Sequence, residues 1–316
     1  MFSYLYKIFA SKNPQVLLLK LLLSLAILYL CIKFYGRLFV NSPREEGFTQ
    51  NTPYIIKENA AIYDDFYCQI HDIIHQPHHR VDYELMFLVE ATQPSKTATI
   101  LDVGSGTGDF VHNLSTAGYR AYGIDLAKPM IHAAEQKFPD DEFVEGNVLD
   151  SMKFESGTFS HIVWSYFTIY EIEDKRTFFR NCYFWLQSSG YLILHLVDPD
   201  KFDPISPAAK QVLFENPQEY LKKGERITES VVDFPDFQYK SNYRFGKQVE
   251  FREEFVDKTS KNVRENSRVL HMPLKTEILD LAQACGFSLH SQTTMKDCID
   301  DSHQYIYILQ RYQGNL

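Results

Sequence analysis

The sequence predicts a doubly wound α/β fold, and three observations carry that reading. In ATILDVGSGTGDF, Ala98 to Phe110, an apolar run stops at a glycine-rich turn, and a helical period of Phe110, Val111, Leu114 and Ala117 follows. A second short run, RAYGID, ends in Asp125 and leads into another helical segment. The chain closes with FSLHSQTTM and HQYIYILQRY, two strands joined by a polar link from Lys296 to Ser302, which must run antiparallel. Alternating strands and helices give a mostly parallel sheet, and the terminal hairpin ends it antiparallel.

Composition agrees with a folded enzyme-sized body. The 316 residues are 45% hydrophobic and 23% charged, too apolar for disorder. Five cysteines (Cys31, Cys68, Cys182, Cys285, Cys298) form no CxxC pair, so neither a disulfide framework nor a zinc site is indicated. Charge is uneven. Residues 1–46 carry six Lys and Arg against two Glu, which leaves −13 on the other 270 residues of a chain whose net charge is −9. A body that acidic repels phosphate backbones, and no basic stripe appears, so nucleic acid is disfavoured as a partner.

In chain order, Val16 to Tyr35 reads VLLLKLLLSLAILYLCIKFY, about the 20 residues that ~30 Å of hydrocarbon requires. The expectation is an N-terminal transmembrane helix, with Lys20 and Lys33 snorkelling and Tyr29, Phe34 and Tyr35 at the far interface. No small-x-small site follows Cys31, so the segment reads as an uncleaved single-pass anchor to a membrane, within residues 1–46. Three basic residues on each side leave its orientation a tie. Asn41 to Pro53 reads as a linker.

Residues 47–97 are expected to hold linker and N-terminal helices. ENAAIYDDFYCQIHDIIH sets Ile62, Phe66, Ile70 and Ile73 on one helical stripe, with Tyr63 and Tyr67 beside it. The histidines at 71, 75, 78 and 79 are interrupted by Pro77 and read as a loop, not a metal site.

Residues 98–198 carry the strongest signals. Glycines at 104, 106 and 108 let the backbone approach a ligand, and the first amides of the next helix offer donors. The spacing is GxGxG, and Asp109 stands where a dinucleotide fingerprint needs a small residue. Asp125, at a strand's carboxyl end and without an evident partner, can accept both hydroxyls of a ribose. After the fifth strand, Gly190 to Asp198, an insertion over 199–272 intervenes. There Phe237, Tyr239, Tyr243 and Phe245 alternate, Gly246-Lys247 suits a two-residue turn, and Val249, Phe251 and Phe255 continue the alternation. With Arg264 to Met272 this predicts a small antiparallel β lid; residues 273–316 then complete the core.

LDVGSGTG, GIDLAKPM, FVEGNVLD, FSHIVWSYFTIYEI and GYLILHLVD, in this order and spacing, resemble the successive motifs of class I S-adenosylmethionine-dependent methyltransferases, of the type 11 and type 25 domain groups. The resemblance covers Ala98 to Asp198 strongly and the final hairpin weakly. It implies a seven-stranded sheet and S-adenosyl-L-methionine as cosubstrate. It further implies that Asp102, Gly104, Ser105, Gly106 and Gly108 contact the donor's methionine part and that Asp125 clasps the ribose. Met130 would pack on the adenine, and Leu126, Val148 and Trp164 would join the same wall. Asn147 stands where the family has an acidic residue, and Ser160 where it has Asp. Tyr63 is a candidate to close the pocket, as similar enzymes fold a helix over the donor. For Asp102, Met130 and Tyr63 the competing structural readings are a loop cap and core side chains.

Methyl transfer needs an in-line nucleophile and excluded water more than a base. Tyr166, Tyr170, Glu171 and His195 sit near the carboxyl ends of the fourth and fifth strands, where open α/β sheets bind ligands. His195 equally fits a core histidine, and the tyrosines a pocket wall. The expected function is methyl transfer to an O or N atom of a small-molecule or lipid-like acceptor, the catalytic body lying in the cytosol with the donor. The alternatives are a protein methyltransferase and a non-catalytic, membrane-tethered scaffold. A nicotinamide dehydrogenase is opposed by Asp109 and the terminal hairpin.

Overall fold

The computed structural model describes residues 13–40, 50, 52–210 and 216–312. The chain divides into two compact units, 1–49 and 50–316. In the first, Pro14–Val40 forms an α-helix of 27 residues. Among the described residues, no helix is long and apolar enough to cross a membrane. The predicted transmembrane helix is corrected accordingly, and the membrane partner and single-pass location that rested on it lose their support. The lysines supply the physical reason. Between Lys20 and Lys33 the uninterrupted run is 12 residues, about 18 Å of helix against the ~30 Å a hydrocarbon core demands. The linker expected from Asn41 to Pro53 lies outside the described residues except for Gln50, Thr52 and Pro53.

The second unit opens with strand β1 (Tyr54–Glu58), a 3₁₀ turn over Asn59–Ile62 and helices Asp65–His75 and Pro77–Thr92. The chain then lays down β2 (Thr99–Val103), β3 (Arg120–Asp125), β4 (Glu142–Glu145), β5 (Phe159–Trp164) and β6 (Leu186–Val197), with helices Asp109–Thr116, Lys128–Lys137 and Lys175–Trp185 between them. Strands β7 (Glu229–Asp233), β8 (Phe237–Arg244), β9 (Val249–Asp257) and β10 (Val263–Leu270) follow, then helix Lys275–Ala284, β11 (Phe287–Met295) and β12 (Asp301–Arg311).

One sheet has seven strands in the order β11-β12-β6-β5-β2-β3-β4. Its β2 to β6 pairs are parallel, and β12 runs antiparallel to both β6 and β11. The order reverses between β2 and β5, which opens a crevice at their carboxyl ends. Ser160 locks that central pair: its hydroxyl donates to the Thr99 carbonyl at 3.0 Å and accepts the Thr99 amide at 3.1 Å.

The second sheet has five strands in the order β1-β10-β9-β8-β7, larger than the lid predicted for 199–272. Its edge β1 pairs parallel with β10, Tyr54 opposite Val263. The link between β8 and β9 is Phe245 to Gln248, not a two-residue turn, with Arg244 opposite Glu250.

The helical segment before β2 also differs from the prediction. Asp64 Oδ1 accepts the Tyr67 amide at 3.2 Å and caps a helix that begins only at Asp65. This restart shifts the buried stripe to Tyr67, Ile70 and Ile74, leaving Phe66 and Ile73 half-buried. The histidine stretch is helical, too. Gln76, at φ +42, forms a one-residue joint, and Pro77 starts the next helix, where its missing N–H costs nothing.

Candidate active site

At the carboxyl ends of β2 to β5 lies a cavity of about 1130 Å³, lined on the far side by the helices before β2 and by the lid. The glycine turn forms its floor. The amides of Gly104 and Ser105 donate to the Ile124 carbonyl at 2.8 and 3.1 Å, which fixes the turn to β3. A Cβ on Gly104 would stand 2.4 Å from Thr168 Cγ2, so the turn can lie this close only as glycine. Gly106, at φ +52, opens to the cavity: a Cβ there would meet nothing nearer than His71 Cε1 at 3.8 Å.

Asp125 is not the free strand-end carboxylate that the sequence suggests. Oδ2 accepts the Gly106 amide at 3.0 Å and Oδ1 the Ala127 amide at 2.8 Å. Burial raises its pKa, and these two amides pull the other way. Each oxygen keeps a lone pair. Beneath the turn, Asp102 is 2% exposed, and its Oδ1 has no partner among the described residues. Burial, with Glu84 adding to it, pushes that carboxyl well above the usual carboxylate range.

Helix Asp65–His75 is clamped over the turn through Asp72. Thr107 Oγ1 donates to it at 2.6 Å and Lys137 Nζ at 2.7 Å, and Lys137 also reaches Asp109 at 2.7 Å. The clamp sets His71 and His75 in the cavity wall, their rings 4.7 Å apart.

The lid contributes a polar network to the same wall. Glu253, 1% exposed, accepts from Tyr67 Oη at 3.1 Å and Tyr239 Oη at 3.0 Å. Arg268 donates to Glu171 at 3.0 Å and to Tyr63, whose own hydroxyl donates to Glu171. Three elements distant in sequence, the 3₁₀ turn before Tyr63, the turn after β5 and strand β10, thus meet around one guanidinium. Arg264 adds a second tie at its far end, paired with both oxygens of Asp64 at 2.9 Å.

Of the residues singled out by sequence, Tyr63, Gly104, Gly106, Asp125, Leu126, Met130, Asn147, Val148, Trp164 and Tyr166 line the cavity. Asp102, Ser105, Gly108, Tyr170 and His195 do not. A Cβ on Gly108 would meet Phe143 Cζ at 2.6 Å, so this glycine serves helix-to-strand packing. Tyr170 is fully buried and accepts the Val197 amide at 2.8 Å. His195 is 1% exposed, held between Gln304 at 3.0 Å and Glu84 at 3.3 Å. Asn147 Oδ1 already accepts the Leu149 amide at 2.9 Å. Tyr166 sits at φ +53 with the Arg80 guanidinium 4.5 Å above its ring, and burial pushes its phenol up to about 12.

Sequence reasoning placed His71 and His75 in a loop and passed over Arg80, Glu253 and Arg268. The signal was present for two of them. Glu253 falls between Phe251 and Phe255 on the inward parity of its strand, and Arg268 two residues before Leu270 on its own. A charge at a buried position asks for a partner.

Residues 101–194 match the family model described as a methyltransferase domain. An uncharacterized methyltransferase of Alkaliphilus oremlandii is 29% identical over 136 residues, 43% of this chain and 62% of the relative. A cypemycin N-terminal methyltransferase of a Streptomyces species is 31% identical over 135 residues, 41% of this chain and 54% of the relative. The match therefore spans less than two thirds of either relative's length. Among solved structures, an S-adenosylmethionine-dependent methyltransferase from Clostridium acetobutylicum superposes with a TM-score of 0.58 at 16% identity, covering 77% of this chain and 97% of that one. It shares the fold.

Proposed function

We propose that this chain, whose 101–194 core is a class I S-adenosylmethionine-dependent methyltransferase domain, transfers a methyl group to an O or N atom of a small-molecule acceptor. One observation carries the reading: the glycine turn and Asp125 line a single cavity that the lid and the N-terminal helices line as well. The lipid-like acceptor rested on the predicted anchor and is dropped with it. A concave cavity of about 1130 Å³ suits a small molecule beside the donor.

The residues present fit the donor. The Gly106 cradle is open where a side chain would fill it, and each Asp125 oxygen has capacity for one ribose hydroxyl. Met130, 1% exposed but in the cavity wall, offers an apolar face for the adenine, with Leu126, Asn147, Val148 and Trp164 around it. S-adenosylmethionine supplies a methyl group activated on a sulfonium. In this reading residues 98–198 hold the donor, while 199–272 and the helices of 47–97 frame the acceptor and exclude water, so that orientation does most of the work. Tyr166 walls the acceptor side, whereas Tyr170 and His195 support the core without touching either ligand.

Calorimetry with S-adenosylhomocysteine tests the reading. The chain is expected to bind one equivalent, and Gly106→Val to bind none while keeping its circular dichroism spectrum, since the branched side chain fills the cradle at a strained φ. Equal affinity in the two proteins would remove the glycine turn from the site.

A further inference from the structure

A buried relay of hydrogen bonds reaches the cavity wall at His75. The Tyr67 hydroxyl, in a fully buried side chain, meets Glu253 Oε1 at 3.1 Å, His75 Nε2 at 3.1 Å and Arg268 Nη2 at 3.4 Å. A phenol has one proton to give. The Glu253 carboxylate, which Tyr239 also serves and Arg268 faces at 3.7 Å, can only accept, so the Tyr67 proton points there. Arg268 can only donate. Tyr67 oxygen is thus left as an acceptor toward His75, and that bond exists only if Nε2 carries the hydrogen. The lone pair of His75 then sits on Nδ1. That atom is buried and has no hydrogen-bond partner among the described residues, yet the side chain lines the cavity.

We infer that His75 Nδ1 is the proton acceptor on the acceptor side of this cavity, and that the molecule methylated there carries a nucleophile that must shed a proton, a hydroxyl or an amine N–H. The inference rests on the methyl-transfer reading. A hydroxyl's proton passes to Nδ1 as the pair it leaves on oxygen forms the bond to the methyl carbon; an amine forms that bond with its own lone pair and then gives an N–H proton to Nδ1. The carbon–sulfur bond breaks with its pair going to sulfur, which becomes a neutral thioether. One positive charge has moved from sulfur to the imidazolium of His75. Its Nε2–H already points at Tyr67 and, through that oxygen's proton, at the Glu253 carboxylate. The ring has its lone pair free at pH 7. Burial first, then the neighbouring His71, Arg268 and Arg80 charges, hold its pKa well below the ordinary value, with Asp72 opposing, so it is neutral at pH 7. A carboxylate or a thioether acceptor would have no use for such a group.

The test has two readouts on the full-length chain. With 15N-labelled histidine and S-adenosylhomocysteine present, two-bond nitrogen–proton correlation at pH 7 is expected to show His75 neutral and protonated on Nε2. Tyr67→Phe, which keeps the ring and removes the oxygen, is expected to yield a mixture of tautomers. A ring protonated on Nδ1, or a tautomer indifferent to Tyr67→Phe, overturns the proposal. In the second readout phenol, benzylamine and benzoate are offered with S-adenosylmethionine. Transfer to phenol or benzylamine is expected, falling at least a hundredfold in His75→Gln at unchanged affinity for the donor. Transfer to benzoate alone, to none of the three by a chain that binds the donor, or undiminished in His75→Gln overturns it. Failure to bind the donor at all would instead sink the methyl-transfer reading and leave the tautomer result standing.

Discussion

Asp125 is the residue on which structure and sequence lead to different expectations for one substitution. As a free carboxylate it could be changed to Asn at no cost to the unliganded protein. With Gly106 and Ala127 amides on its two oxygens, it is also the staple between the glycine turn and the start of helix Lys128–Lys137. Asn keeps one acceptor oxygen and presents an NH₂ to the other amide, so one half-buried donor loses its partner. Asp125→Asn is therefore expected to lower stability without ligand by ~1–2 kcal/mol and donor affinity by about ten- to a hundredfold. A melting series with and without S-adenosylmethionine reads both quantities. An unchanged melting temperature without ligand would mean that the two amides do not depend on the charge, and unchanged affinity would remove the ribose assignment.

At the scale of elements, His161 on β5 joins the sheet to helix Pro77–Thr92. Its Nδ1 meets Ser160 Oγ at 2.8 Å and its Nε2 meets Thr92 Oγ1 at 3.0 Å. Burial lowers its pKa from 6.5 to about 4. Between those values the unfolded chain binds a proton that the folded chain does not, so this group makes stability rise with pH across pH 4 to 6.5. Above 6.5 the contribution is complete, and below 4 it is lost. Urea melts of the natural protein and His161→Gln at pH steps through the window should diverge as pH rises; parallel curves would show that the ring titrates normally. Elements of this kind were unevenly legible in the sequence. The β2 turn and helix announce themselves because apolar period and glycine spacing are local signals. Strand β1 does not: five residues, YIIKE, find their partner more than two hundred residues downstream, and nothing near them marks a parallel pairing. The helix at Asp65 was legible in kind but not in phase, because the stripe was counted through Tyr63 and Asp64, where the cap interrupts it. The glycine turn and Asp125, which line the cavity, stand in local motifs, whereas the Glu253–Tyr67–His75 relay depends on β9 meeting a helix far upstream.

Across the whole molecule, the question is whether the lid is a separate body or part of one fold. One buried apolar cluster answers it in structural terms. Leu101, Ile124 and Trp164 of the large sheet belong to the same cluster as Tyr243, Val249, Phe251 and Leu270 of the lid. Polar ties cross the same junction, Arg264 to Asp64 and Arg268 to Glu171. A lid that shares its core with the sheet cannot open fully without exposing that cluster, so its unfolding is coupled to that of the sheet. The cavity lining runs from Asn59 to Gln304 and lies wholly within the unit 50–316. Residues 50–316 expressed alone are thus expected to melt in one transition, reported alike by far-ultraviolet dichroism and by tryptophan fluorescence of Trp164 and Trp185, both buried in the shared cluster. S-adenosylmethionine at a hundred times its Kd should raise the stability of that transition by ~2.7 kcal/mol, since only the folded state binds. Two resolved transitions, with the donor shifting only the one that fluorescence follows, would show the lid to be an independent unit. A 50–316 fragment that failed to bind while the full-length chain bound would overturn the assignment of the whole site to this unit.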